Sequence, residues 1–237
     1  MNRPKPTNKR EFLIGRAPAV VYGESDRVFV FVHGMGGNKY EAERFFNVVR
    51  EFGYAVLAVD LPRHGNRTDD AEFVAREAVR DLKNTIRYAK NAYKDVSVRA
   101  TSIGAYFSCV AFRGEKISKC LFVSPLLNMR RTIADLMTAA GVSEERLRTE
   151  KEIPTEFGQT LSWDYLCYAR ENPVRAVCAD TAILYATGDE VVPRDTVETF
   201  ARENGCSLTE IDGYEHYLHT DEEIGILEKW EYENTRI

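Results

Sequence analysis

The sequence lacks the features that mark several classes of protein. No apolar run is long enough to cross a bilayer; the longest are stretches such as residues 28–32. Residues 1–10 are polar and basic (Arg3, Lys5, Lys9 and Arg10, with Pro4 and Pro6) and lack the apolar segment of a secretory signal. No long Lys/Arg run is present, and a net charge of -5 argues against a nucleic-acid partner. The five cysteines (Cys109, Cys120, Cys167, Cys178 and Cys206) are odd in number and scattered, with no CxxC spacing. They therefore suggest neither a disulfide framework nor a zinc site, and read as reduced, buried thiols of a cytoplasmic protein. There is no internal repeat and no low-complexity segment. Histidines number only four, which keeps the choice of proton carrier short.

Short apolar runs alternate with longer amphipathic stretches, the rhythm of an α/β fold with a mainly parallel sheet covered by helices. Residues 28–32, 55–59, 95–100, 120–124, 182–186 and 207–211 read as strands. Residues 12–14 and 19–22 fit edge strands around a turn at Arg16-Ala17-Pro18. Helical spacing is expected over residues 40–51, 70–94, 104–112, 194–204 and 221–234. Residues 125–173 break this rhythm: they hold no strand-like run and carry helical patterns over 131–140, 143–149 and 160–169. That is too long for a plain connection. It reads as a helical cap over the strand ends, with ordinary helical packing on the sheet as the alternative.

A serine hydroxyl becomes a useful nucleophile only beside a base, and a sharp strand-to-helix turn is one way to present it. Ala100-Thr101-Ser102-Ile103-Gly104 has small residues two positions either side of Ser102, a strand before and a helix after. Ser124, also at a strand end, competes but is followed by Pro125-Leu126 rather than a glycine turn. A tetrahedral oxyanion needs preorganised donors. The Ile103 N–H is one candidate and the Met35 N–H, in the glycine-rich His33-Gly34-Met35-Gly36-Gly37, is the other, with the Met35 side chain as a pocket floor.

The base must be His33, His64, His216 or His219. His33 and His64 sit in loops where bracing the backbone is the simpler role, and His219 precedes a capped helix start at Thr220-Asp-Glu-Glu223. His216, in the loop after the last strand, is the expected base. Asp189, in Gly188-Asp189-Glu190 after the penultimate strand, is the expected carboxylate that orients it, with Glu190 as runner-up. Residues 125–129, the other place such a sheet carries the acid, contain no carboxylate.

Taken together, His33-Gly34, Asp60-Leu-Pro-Arg-His-Gly65, the Ser102 turn, Gly188-Asp189 with Val192-Pro193, and His216 resemble the α/β-hydrolase superfamily over nearly the whole chain. The resemblance implies one domain over residues 1–237, an eight-stranded, mostly parallel sheet and an inserted helical cap. Within the superfamily the chain looks similar to small carboxylesterases, including acyl and cinnamoyl esterases, with serine-aminopeptidase-like and monoglyceride-lipase-like relatives nearby. Ala100 in place of the first glycine of the turn, and Arg63 with Asn66 after Asp60, depart from the pattern. The expected reaction is hydrolysis of a carboxylic ester through an acyl-enzyme, with no metal or organic cofactor. Thioester or amide cleavage by the same residues, and a non-catalytic ligand-binding protein on this fold, are the alternatives. Gly34, Tyr40, Tyr106, Phe157, Trp163 and Tyr165, with Leu161 and Tyr168, either line the substrate pocket or simply pack the cap. The charge of the cap (Arg130, Arg131, Glu144, Glu145 and their neighbours) points to a small soluble ester as substrate rather than a lipid surface, with no membrane partner. The sequence leaves monomer and homodimer equally open.

Overall fold

The computed structural model describes residues 8–178 and 180–236; the basic start of the chain, through residue 7, lies outside them. In chain order the elements are β1 (Lys9–Ile14), β2 (Ala17–Tyr22), β3 (Arg27–Val32), α1 (Ala42–Val49), β4 (Ala55–Val59), α2 (Ala75–Ala92), β5 (Asp95–Thr101) and α3 (Ile103–Ala111). They continue with β6 (Cys120–Val123), α4 (Met129–Ala139), α5 (Glu144–Glu150), β7 (Glu152–Pro154), β8 (Thr160–Ser162), α6 (Trp163–Glu171), β9 (Thr181–Ala186), α7 (Arg194–Asn204), β10 (Ser207–Ile211) and α8 (Asp221–Thr235). Eight strands form one sheet in the order β1-β2-β4-β3-β5-β6-β9-β10. Only β2 runs against its neighbours; every pairing from β4 to β10 is parallel. No helix among the described residues is long and apolar enough to cross a membrane.

Alternation along the strands builds two cores. Val28, Val30 and Val32 of β3 point to one face, with α2, α3, α7 and the 124–180 insertion. Phe29 and Phe31 point to the other, with α1 and α8. Strands buried on both faces read as continuous apolar runs, which is why β3 and β4 stand out in the sequence. β5 is the exception: its Val96, Val98 and Ala100 are apolar, but its opposite side carries Ser97 and Arg99, both buried. The chain leaves β3 towards β4 on one side and returns to β5 on the other, so β3 and β5 flank the point where the strand order reverses. In open parallel sheets that is where ligands bind, at the carboxyl ends of the strands.

The insertion between β6 and β9 departs from the expectation of a purely helical cap. It contains α4, α5 and α6, but also the antiparallel hairpin β7–β8, so Thr160–Ser162, expected as helix, is strand. The reason is local. Gly158 at φ +85° turns the hairpin, and the Ser162 side chain accepts the Tyr165 N–H, so the helix begins only at Trp163.

Candidate active site

Ser102 stands between β5 and α3 with φ 50° and ψ -124°, a conformation that costs a non-glycine residue about 1–3 kcal/mol. The surroundings hold it there. Its N–H donates to Val123 O at 3.0 Å, and its carbonyl accepts from Ala105 N at 3.0 Å and Leu126 N at 3.1 Å. Gly104 explains the need for a small residue two positions on: a Cβ there would lie 2.5 Å from His33 O and 2.9 Å from Val32 O. The turn thus aims the Ser102 hydroxyl away from β5, above the start of a helix.

The His216 ring meets that hydroxyl. Its Nε2 lies 2.9 Å from Ser102 Oγ, and its Nδ1 lies 2.7 Å from Asp189 Oδ2. An ionised carboxylate can only accept, so Nδ1 carries the hydrogen and the neutral ring's Nε2 is left to accept from the serine. The other Asp189 oxygen accepts from Val191 N and Val192 N, both at 2.8 Å, and its side chain is sealed from solvent. Gly188 N donates to Tyr214 O at 2.9 Å, locking the loop of the acid to the loop of the histidine. A Cβ on Gly188 would lie 2.7 Å from that oxygen, so only glycine allows this approach.

The glycine loop after β3 lies against the same turn: a Cβ on Gly34 would lie 3.4 Å from the Ser102 Cβ. Gly37 N closes the loop on Gly34 O, and Gly36 N donates to His64 Nε2 at 3.0 Å. His33, fully buried, accepts Leu61 N at Nε2 (3.0 Å), while its Nδ1 lies 2.7 Å from Gly34 O. Burial lowers its pKa to about 4, against the opposing pull of the Gly34 carbonyl, so it is neutral near pH 7. His33 and His64 therefore brace loops, and His219 stacks on Tyr217 at the start of α8.

A sequence profile of the alpha/beta hydrolase family matches residues 29–224. The chain belongs to the alpha/beta hydrolase family. No curated protein matches it by sequence. Its fold is similar to that of Est1E from Butyrivibrio proteoclasticus with bound ferulic acid, at 18% identity and TM-score 0.71 over 94% of this chain and 96% of that one. It is also similar to mouse alpha/beta hydrolase domain-containing protein 10 (13% identity, TM-score 0.73, 94% and 96% covered). An esterase of Pyrococcus furiosus has the same fold at 16% identity and TM-score 0.64, with 98% and 92% covered.

The remaining expected site residues of this hydrolase divide. Gly34 lies against Ser102, and Met35, next along the loop, is 60% exposed and so is no buried pocket floor. Tyr40 turns elsewhere: its hydroxyl bonds Glu11 and Asn66, both at 3.0 Å, and the Lys39 ammonium sits over its ring. Phe157 is an exposed residue of the β7–β8 turn, and Trp163 lies under Arg170 at the start of α6. Tyr106 is buried and Tyr165 half-buried, both with sealed hydroxyls that have no hydrogen-bond partner among the described residues. Ser124 is buried at φ +44°, its hydroxyl likewise without a hydrogen-bond partner among the described residues.

Three charged features near the site escape a reading of the sequence. Lys39, 1% exposed, pairs with the fully buried Asp60 at 2.9 Å; Asp60 also accepts Lys39 N and Asn66 N. Burial alone would lower the Lys39 pKa, but the Asp60 carboxylate outweighs it and holds the ammonium above its ordinary value. The departure at Asn66 is thereby explained, since its side chain accepts from Lys39. Arg67, nearly sealed from solvent, bonds Asp69, Asp81 and the Asp60 carbonyl. Arg99 pairs with Glu231 of α8 at 2.9 Å and also donates to Thr101, the residue before Ser102. Arg99 left a signal, a charge in the buried register of a strand. Lys39 left none, because it lies in a loop with no buried register to mark it, and its partner is 21 positions away.

Proposed function

We propose that this hydrolase is a serine esterase that cleaves a carboxylic ester of a small soluble substrate through an acyl-enzyme. The observation that carries the reading is the hydrogen-bonded chain from Ser102 through His216 to Asp189, with the serine on a strained turn at the sheet's carboxyl edge. Ser102 Oγ attacks the ester carbonyl while His216 Nε2 takes its proton. His216 then gives that proton to the leaving alcohol and afterwards activates the water that releases the acid. Asp189 holds the tautomer and stabilises the imidazolium. The N–H groups of Met35 and Ile103 meet the oxyanion. The bonds made by Gly36, Gly37 and His33 support this, because they tie down the loop around Met35. Likeness in fold to Est1E and to the Pyrococcus esterase supports an ester rather than another acyl derivative, and five free cysteines favour a reducing compartment such as the cytoplasm.

The test treats the protein and its Ser102→Ala variant with a fluorophosphonate probe and follows a nitrophenyl ester series from acetate to decanoate. Labelling and turnover by the parent, and neither by the variant, are expected. A folded parent that stays unlabelled, or a variant that labels equally, would sink the assignment and leave a ligand-binding protein on this fold.

A further inference from the structure

Four of the five cysteines gather around one part of the sheet. Cys120 opens β6, Cys178 lies just before β9, Cys206 joins α7 to β10, and Cys109 is on α3. Cys109 and Cys120 belong to one core, with Cys178 and Cys206 packed against it. None of them serves the Ser102–His216–Asp189 chain. In the parallel β5–β6 pairing Cys120 is level with Val98, whereas Ser102 follows the end of β5. The cluster thus stands at the opposite edge of the sheet from the nucleophile.

Two of these thiols touch. The Cys120 and Cys178 side chains are hydrogen-bonded to each other. The backbone fixes them there: Cys120 N donates to Asp180 O at 2.9 Å, and the Cys178 Sγ lies 3.5 Å from that same oxygen. The Thr181 hydroxyl, in register with Cys120, donates to Cys178 O at 2.7 Å. Cys206 bonds Thr181 rather than Cys178.

The two thiols are unlike. Cys120 is fully buried, and burial pushes its pKa well above the ordinary value, so it keeps its proton. Cys178 is only half-buried. The hydrogen bond from Cys120 lowers its pKa to about 7, against the opposing effect of burial. The nearby Lys119 ammonium, paired with Asp180 at 2.8 Å, pulls the same way. An accessible thiolate near ambient pH, beside a second thiol that stays protonated, is how an attacking and a resolving cysteine are arranged.

We propose that Cys178 is a site of oxidation by hydroperoxides and that Cys120 resolves it, giving a reversible Cys120–Cys178 disulfide. The Cys178 thiolate attacks one peroxide oxygen and the O–O bond breaks. The sulfur is oxidised to a sulfenic acid, and the reduced half of the peroxide takes a proton and leaves as water or an alcohol. The Cys120 sulfur then attacks the sulfenic sulfur. An S–S bond forms, and the displaced hydroxide takes the Cys120 proton and leaves as water. The cross-link joins β6 to the segment before β9 and closes the whole insertion into one loop. It is read from thiols and masses, so it stands or falls independently of Ser102.

Hydrogen peroxide in small excess is the probe, applied to the full chain, followed by alkylation in denaturant, intact mass and tryptic mapping. Each cysteine falls on its own tryptic peptide. The parent should lose two of its five alkylatable thiols and two hydrogen atoms in mass, with peptides 120–130 and 176–194 linked. Dithiothreitol should reverse all three changes. In Cys178→Ser the remaining thiols should survive the same exposure, and in Cys206→Ala the disulfide should still form. Five thiols left in the parent, a cross-link to Cys109 or Cys206 instead, or oxygen added to Cys178 without a cross-link would each overturn the assignment. So would loss of the Cys120 thiol in Cys178→Ser.

Discussion

The loops around Ser102 and the insertion over residues 124–180 are held together by different physics. The loops are tied by buried polar groups: Asp60 with Lys39, His33 with Leu61 and Gly34, and Asp189 with two backbone N–H groups. The insertion is held by apolar side chains that join the core of the sheet, such as Ile133, Leu147, Leu161 and Leu166, and by ion pairs at its surface, such as Arg170 with Glu144. A buried polar bond fixes direction as well as distance, and a reacting constellation needs both. Apolar packing tolerates changes of shape, so the insertion can vary in outline while the loops cannot.

The largest effect that would sharpen this contrast is on turnover. Asp189→Asn keeps the shape of the side chain but replaces an acceptor with a group that can donate, which favours the wrong tautomer of His216. Loss of about 10⁴ in kcat is expected, with little change in melting temperature, measured on any nitrophenyl ester the parent hydrolyses. A mild loss would mean that His216 is not oriented through Asp189.

Next in size is Asp60→Asn, which leaves the Lys39 ammonium buried without its carboxylate. Such half-broken buried pairs typically cost about 3–5 kcal/mol, so denaturant unfolding should show the protein strongly destabilised. Lys39→Met with Asp60→Leu, removing both charges, should recover a substantial part of that loss. If the double replacement is no better than the single one, the pair is not what organises these loops.

The legibility of the sequence follows the same division. Ser102, Asp189 and His216 could be read because each requirement is local: a glycine two residues on, a glycine before the acid, a loop after the last strand. α7 and β10 were bounded correctly because Pro193 precedes the helix and Gly205, at φ +67°, ends it. α2 starts at Ala75, five residues later than its expected start at residue 70, because the chain before it is still extended at Val74. Glu72, inside the expected helix, binds Arg63. The hairpin β7–β8 was invisible, since three-residue strands leave almost no periodicity to detect. Lys39 with Asp60 and Arg99 with Glu231 are long-range pairings, which no local pattern encodes.

A pH titration separates the two regions by about 3 kcal/mol. In the unfolded chain histidine titrates near 6.5, whereas in the fold burial lowers His33 to about 4. Between those values the unfolded chain binds a proton that the folded chain refuses. The contribution of His33 is thus complete above pH 6.5 and is lost as pH falls towards 4. Unfolding free energy should decline over that window in the parent and decline less in His33→Asn. An equal decline in both would place the acid sensitivity elsewhere.

The smallest expected effect comes from the insertion itself. Arg170 and Glu144 make two hydrogen bonds, at 2.9 and 2.6 Å, yet both side chains are solvated, with relative exposures of 37% and 53%. Exposed pairs contribute about 0–1 kcal/mol, because solvent screens them and ordering two long side chains costs entropy. In a chain of this length 1 kcal/mol moves the melting temperature by about 2–4 °C. Arg170→Ala should therefore shift it by no more than that, and leave Ser102 labelling by fluorophosphonate at the parent's rate. A shift several times larger would mean that the insertion, too, depends on directed polar bonds, and the contrast between the two regions would fail.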